Sequence, residues 1–160
     1  MWVLPSNLIN HYNMEMKILI LCTGNSCRSQ MAQAFLQCLD DRLTVCSAGT
    51  RPAHRVNPDA VRVMREKGID LSANIPESVD TYLSQPWDYV ITVCGGARDT
   101  CPTFSGTVRH RLHIGFDDPS DAVGTPEFVD QEFHRVRDEI CRGMTDFYET
   151  ELKPRLSQEV

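Results

Sequence analysis

The sequence predicts an α/β fold: a single three-layer domain with a four-stranded parallel sheet, strand order 2-1-3-4, and helices on both faces. Three observations predict it. Short apolar runs alternate along the chain with segments of helical periodicity. The runs Lys17–Leu21 and Trp87–Val93 are almost continuously apolar, as strands buried on both faces are. A cysteine directly follows each of them, at the sheet end where ligands bind in folds of this order.

Residues 1–15 read MWVLPSNLINHYNME, with Pro5, scattered apolar residues and no basic start. A signal peptide would be expected to have a positive start and a longer apolar stretch. These residues are expected to form a poorly ordered extension, with Met14 or Met16 as an alternative start, and the domain is placed at 16–155. The first strand is Lys17–Leu21. A loop follows, and Gln30–Leu39 has helical periodicity. Leu43–Ser47 reads as the second strand. Asn57-Pro58 supplies an N-cap residue and a proline at the first helical position, and Gly68 a stop. Trp87–Val93 is the third strand, and the alternating segment Val108–Ile114 the fourth. Thr125-Pro126 opens a long amphipathic helix reaching about Glu151.

Of 160 residues, 41% are hydrophobic and 24% charged, as expected for one globular core. No apolar run is long enough to span a membrane. A net charge of −6 without a basic block argues against general nucleic-acid binding. The seven cysteines are odd in number and come without an export signal, which points to reactive or buried thiols in a cytoplasmic protein rather than a disulfide framework. Their spacings do not suit zinc. The five histidines show no ligand or dyad spacing.

The segment Cys22-Thr-Gly-Asn-Ser-Cys-Arg28-Ser29 joins a strand to a helix. Such a loop turns backbone N–H groups of Thr23, Gly24, Asn25, Ser26, Cys27 and Arg28 toward an anion. Gly24 is assigned the unusual backbone conformation. Arg28 can grip two oxygens of a tetrahedral oxyanion. The same positive field favours Cys22 as a thiolate nucleophile, and the Ser29 hydroxyl can donate to it. Cys27 reads as a filler of the loop rather than a second nucleophile.

Order 2-1-3-4 puts Cys94 beside Cys22. The segment Cys94-Gly-Gly-Ala-Arg-Asp-Thr-Cys101 is expected to be a mobile loop, suited to thiol–disulfide exchange from Cys94 to Cys101. The alternative is that both thiols are buried and inert. In Asp117-Asp118-Pro119, Asp118 is a candidate general acid. From the residues alone it reads equally well as a solvated acidic turn. Cys38, Cys46 and Cys141 read as core.

The runs CTGNSCRSQMA (22–32), VCGGARDTCP (93–102) and GFDDP (115–119) resemble the thioredoxin-coupled arsenate reductases, which share the low-molecular-weight protein tyrosine phosphatase fold. SAG (47–49), NP (57–58), KGID (67–70) and RVRDEI (135–140) extend the match. The resemblance implies arsenate as substrate, Cys22 attacking arsenic, and Asp118 protonating the departing oxygen. Cys94 then attacks Cys22 and releases arsenite. Cys101 takes over the disulfide, and thioredoxin, rather than glutaredoxin, reduces it. No cofactor is implied. In some members a Glu at the position of Gln33, with residues matching Asn25 and Ser47 and an Asp matching Glu77, binds potassium. Lacking that carboxylate, Asn25, Gln33, Ser47 and Glu77 make at most a weak site. The protein is expected to be a monomer. The competing readings are a phosphatase on phosphoesters, disfavoured by the absence of an aromatic after Pro119, and a non-catalytic oxyanion sensor.

Overall fold

The computed structural model describes residues 15–158. The expected extension therefore lies almost wholly outside the described residues. Four strands, β1 (Met16–Cys22), β2 (Leu43–Gly49), β3 (Trp87–Thr92) and β4 (Val108–His113), form one parallel sheet in the order β2-β1-β3-β4. This is the predicted topology. Ile18, Leu19, Ile20 and Leu21 are fully buried, so β1 is covered on both faces, as its unbroken apolar run requires. β4 is an edge strand, and the alternation of its sequence reflects a half-exposed position.

Helix α1 (Arg28–Gln37) starts two residues before the periodic segment, directly out of the loop after β1. It packs on β1 and β2. Helix α2 (Pro58–Arg65) is capped as predicted, with Asn57 Oδ1 accepting from Asp59 N–H at 2.8 Å. The segment expected to be a mobile loop is instead a short helix, α3 (Gly95–Thr100), lying over β1 and β3. Cys94 supplies its cap: Sγ accepts from Ala97 N–H at 3.3 Å. That side-chain cap is what offsets two glycines in the first turn.

Helix α4 (Pro126–Phe147) packs against α1 and α2. It does not run unbroken to Glu151. A π-helical turn over Tyr148–Leu152 precedes α5 (Lys153–Ser157), whose Pro154 lacks the N–H that would continue the α ladder. Cys38 is exposed at the end of α1, contrary to its core assignment, because the chain turns there toward Asp40. Cys46 and Cys141 are half-buried and pack against the core. No described helix is long and apolar enough to cross a membrane.

Candidate active site

The loop after β1 is held from outside by the segment after β2. Thr50, Arg51, Ala53 and Asn57 donate their backbone N–H groups to the carbonyls of Cys22, Thr23, Gly24 and Ser26, at 2.8–3.1 Å. Those carbonyls thus face away from the cup, which leaves the loop's own N–H groups for its interior. Gly49 makes this approach possible, since a Cβ there would lie 2.5 Å from Thr23 O.

The left-handed residue of the loop is Asn25, with φ 51°, and not Gly24. Asn adopts this region more readily than most residues, and here its side chain is held at both ends. Asn25 Oδ1 accepts from Glu77 N–H at 2.9 Å and Gln30 Nε2 at 3.2 Å. Its Nδ2 donates to Ser29 Oγ and Ser47 Oγ, at 2.8 and 2.9 Å.

Cys22 Sγ lies at the start of this cup, 3% exposed. It accepts from Asn25 N–H at 3.1 Å and stands 2.9 Å from Ser29 Oγ. Cys27 is buried at the N-cap of α1 without capping through its sulfur. Burial foremost, then the charge of Asp118, pushes its thiol far above the usual range, which suits a filler and not a nucleophile.

Arg28 bridges the loop to the segment after β4. Its Nη1 donates to Phe116 O and its Nη2 to Asp118 Oδ2, both at 3.1 Å. Asp118 Oδ1 accepts from Ser120 N–H and Oγ, at 3.0 and 2.6 Å. The carboxyl group is therefore aimed by three contacts and is not a loose acidic turn.

Cys94 reaches the mouth from β3. Its Sγ stands 3.4 Å from Thr23 Oγ1, the residue next to Cys22. Cys101 ends α3 at the other side. It is half-buried on a mostly apolar groove of about 280 Å³, with Arg98, Arg111 and Leu112. Burial raises its thiol pKa, opposed by Arg111.

Asn25, Gln33, Ser47 and Glu77 do come together, beside a cavity of about 430 Å³ behind the loop. They do not fit a cation. Asn25 Oδ1 is already filled by two donors. Gln33 brings a neutral amide, and the Glu77 carboxylate accepts from Tyr82 OH. Sequence reasoning missed Gln30, whose amide reaches from α1 to Asn25 O at 3.1 Å and also meets Asn74. It also missed Thr23 as the contact of Cys94. Neither had a signal beyond lying near the loop.

The chain matches the family model described as low molecular weight phosphotyrosine protein phosphatase over residues 17–158. A protein of Halalkalibacterium halodurans named arsenate reductase is 48% identical over 134 residues, covering 83% of this chain and 95% of the relative. A solved structure described as an arsenate reductase in the phosphate binding state aligns at TM-score 0.70 and 26% identity, over 84% of this chain and 97% of that one. A thioredoxin-dependent arsenate reductase of Corynebacterium glutamicum aligns at TM-score 0.64 and 26% identity, over 89% of this chain and 63% of that one.

Proposed function

The chain belongs to the low molecular weight phosphotyrosine protein phosphatase family, and from that premise we propose that it reduces arsenate to arsenite by a relay through Cys22, Cys94 and Cys101, with thioredoxin as electron donor. The observation that carries this is the second thiol at the mouth of the loop, Cys94 against Thr23. A phosphatase needs the loop, Arg28 and Asp118, but has no use for a cysteine there.

The chemistry proceeds in three exchanges. The Cys22 thiolate attacks arsenic and displaces one oxygen, which leaves as water with a proton from Asp118. The N–H groups of Thr23 to Arg28 and the Arg28 guanidinium hold the remaining oxygens. Cys94 then attacks Cys22 Sγ. The electron pair of the sulfur–arsenic bond departs with arsenic, which falls from the pentavalent to the trivalent state, and a Cys22–Cys94 disulfide remains. Cys101 attacks Cys94 and releases Cys22 as a thiolate. The Cys94–Cys101 disulfide is reduced by an external dithiol, reached through the groove at Cys101. No cofactor enters, and every thiol must start reduced, as in a cytoplasm. A monomer suffices, since all three thiols lie in one chain.

Cys94→Ser tests the reading. A reductase with this change binds arsenate but yields no catalytic arsenite, whereas a phosphatase keeps its activity. Mass spectrometry after one arsenate turnover should find the Cys94–Cys101 disulfide in the native protein. Its absence, or reconstitution only with glutaredoxin and glutathione, would overturn the relay or the reductant respectively.

A further inference from the structure

Behind the active-site loop, five side chains form a chain of hydrogen bonds with one forced direction. It starts at Gln33 on α1. Gln33 Nε2 donates to Val45 O on β2, at 3.0 Å. A backbone carbonyl only accepts, so the orientation of this amide is settled, and its Oε1 must be the acceptor for Ser47 Oγ at 2.5 Å. With its one hydrogen spent, Ser47 Oγ can only accept from Asn25 Nδ2, at 2.9 Å. Asn25 is pinned at its other end by the Glu77 backbone N–H, which only donates. Its amide group therefore also donates to Ser29 Oγ at 2.8 Å. That leaves the single hydrogen of Ser29 for Cys22 Sγ at 2.9 Å.

We propose that Gln33 is a positioning residue for Cys22: its amide takes up the Ser47 hydrogen, so that Ser47 accepts from Asn25 and the Asn25 side chain, oriented by the Glu77 N–H, holds Ser29 as a donor to the sulfur without any cation behind the loop. The chemistry of the alternative shows why. A carboxylate at position 33 would still accept from Ser47. Its other oxygen would face Val45 O, acceptor against acceptor, on the cavity that the Glu77 residue also lines. Such a pair of charges needs a cation to hold it together. The amide replaces one oxygen by a donor, satisfies Val45 O, and brings no charge. The loop of this chain is thereby independent of potassium. This inference rests on Cys22 being the reacting thiol, as proposed above, but not on which oxyanion it attacks.

The test is the rate at which iodoacetamide labels Cys22 at neutral pH, resolved by peptide mass spectrometry from the other cysteines. It is run in potassium, sodium and tetramethylammonium chloride at one ionic strength. The native protein should label Cys22 equally fast in all three. Gln33→Leu should label about fivefold more slowly in all three, the effect of one net hydrogen bond. Gln33→Glu should be slow in sodium and tetramethylammonium and regain speed in potassium, a response that a merely structural role for position 33 would not give. Should Gln33→Leu fail to fold, Ser47→Ala cuts the same chain one link nearer to Cys22. A native rate that rises with potassium overturns the proposal. So does a native rate retained in both Gln33→Leu and Ser47→Ala. Potassium-indifferent native labelling in a protein that does not reduce arsenate would uphold the role of Gln33 and sink the arsenate reading alone.

Discussion

Cys94 and Cys101 stand at opposite ends of the same six-residue helix, one capping its first turn and the other ending its last. A step of seven residues at the helical rise separates their Cα atoms by about 10 Å. A disulfide requires roughly 4.4–6.8 Å. The two thiols can therefore join only if α3 unwinds. If the proposed relay operates, this helix is a timing element. Its two N-terminal glycines keep it easy to melt.

Gly95→Ala should slow the relay at that step. A Cβ at Gly95 meets only the Arg98 guanidinium, at 3.8 Å, so the site has room. Alanine favours the helix by about 0.5–1 kcal/mol, which corresponds to roughly a 2- to 5-fold slower Cys94–Cys101 disulfide. Rapid-quench alkylation after one arsenate turnover measures it. The Cys22–Cys94 disulfide should accumulate first, and an unchanged rate would mean that unwinding does not limit exchange.

Arg28→Lys keeps the charge and loses the fork. The native guanidinium contacts Phe116 O and Asp118 at once, from two nitrogens. A single ammonium cannot hold both and also grip an anion. KM for arsenate should rise about tenfold or more, on the scale of a lost charge-assisted bond. Steady-state kinetics would contradict this if KM stayed within error of the native value.

Asp118→Asn removes the proposed acid but keeps the shape. The first step should fall by about 100-fold or more, the usual contribution of a positioned general acid. Cys101-to-Cys94 exchange should be unaffected, since it does not involve that carboxyl. Pre-steady-state formation of the Cys22 adduct separates the two, and equal slowing of both would count against the assignment.

Histidine 134 makes stability depend on pH. Its Nδ1 bonds Asp130 O at 2.8 Å and its Nε2 bonds Glu66 at 2.7 Å, tying α4 to α2. The backbone bond to Asp130 foremost, then Glu66, raises its pKa against the opposing effect of burial. A raised pKa means the folded state holds the proton more tightly. The stabilisation is complete below the unfolded value of about 6.5 and is lost as pH rises through the folded value. His134→Ala should therefore lower Tm more at acid pH than at alkaline pH. A gap between native and variant melting curves that stays constant across that range refutes it.

The sequence made the sheet legible because β1 and β3 are buried on both faces and must be apolar throughout. It made the α2 start legible because Asn57 and Pro58 act locally. Helix α3 was hidden for the opposite reason. Its glycines speak for a loop, and what overrides them is a tertiary placement that lets Cys94 cap the first turn. The left-handed backbone was assigned to Gly24 on propensity, whereas Asn25 takes it because Glu77, Ser47 and Ser29 hold its side chain from distant parts of the chain. Cys22 and Arg28 stood out by their place between a buried strand and a helix, and Asp118 as an acid only through the family resemblance. Their hydrogen-bond partners were largely not legible, since these come together only through folding.

The segment after β2 grips the active-site loop by main-chain N–H groups alone, while Arg51, Pro52, Ala53, His54 and Arg55 turn their side chains to solvent. Mutation therefore has a free hand there. The exterior of the cup can drift to suit new surroundings, while its interior keeps its shape through bonds that no ordinary substitution except proline can erase.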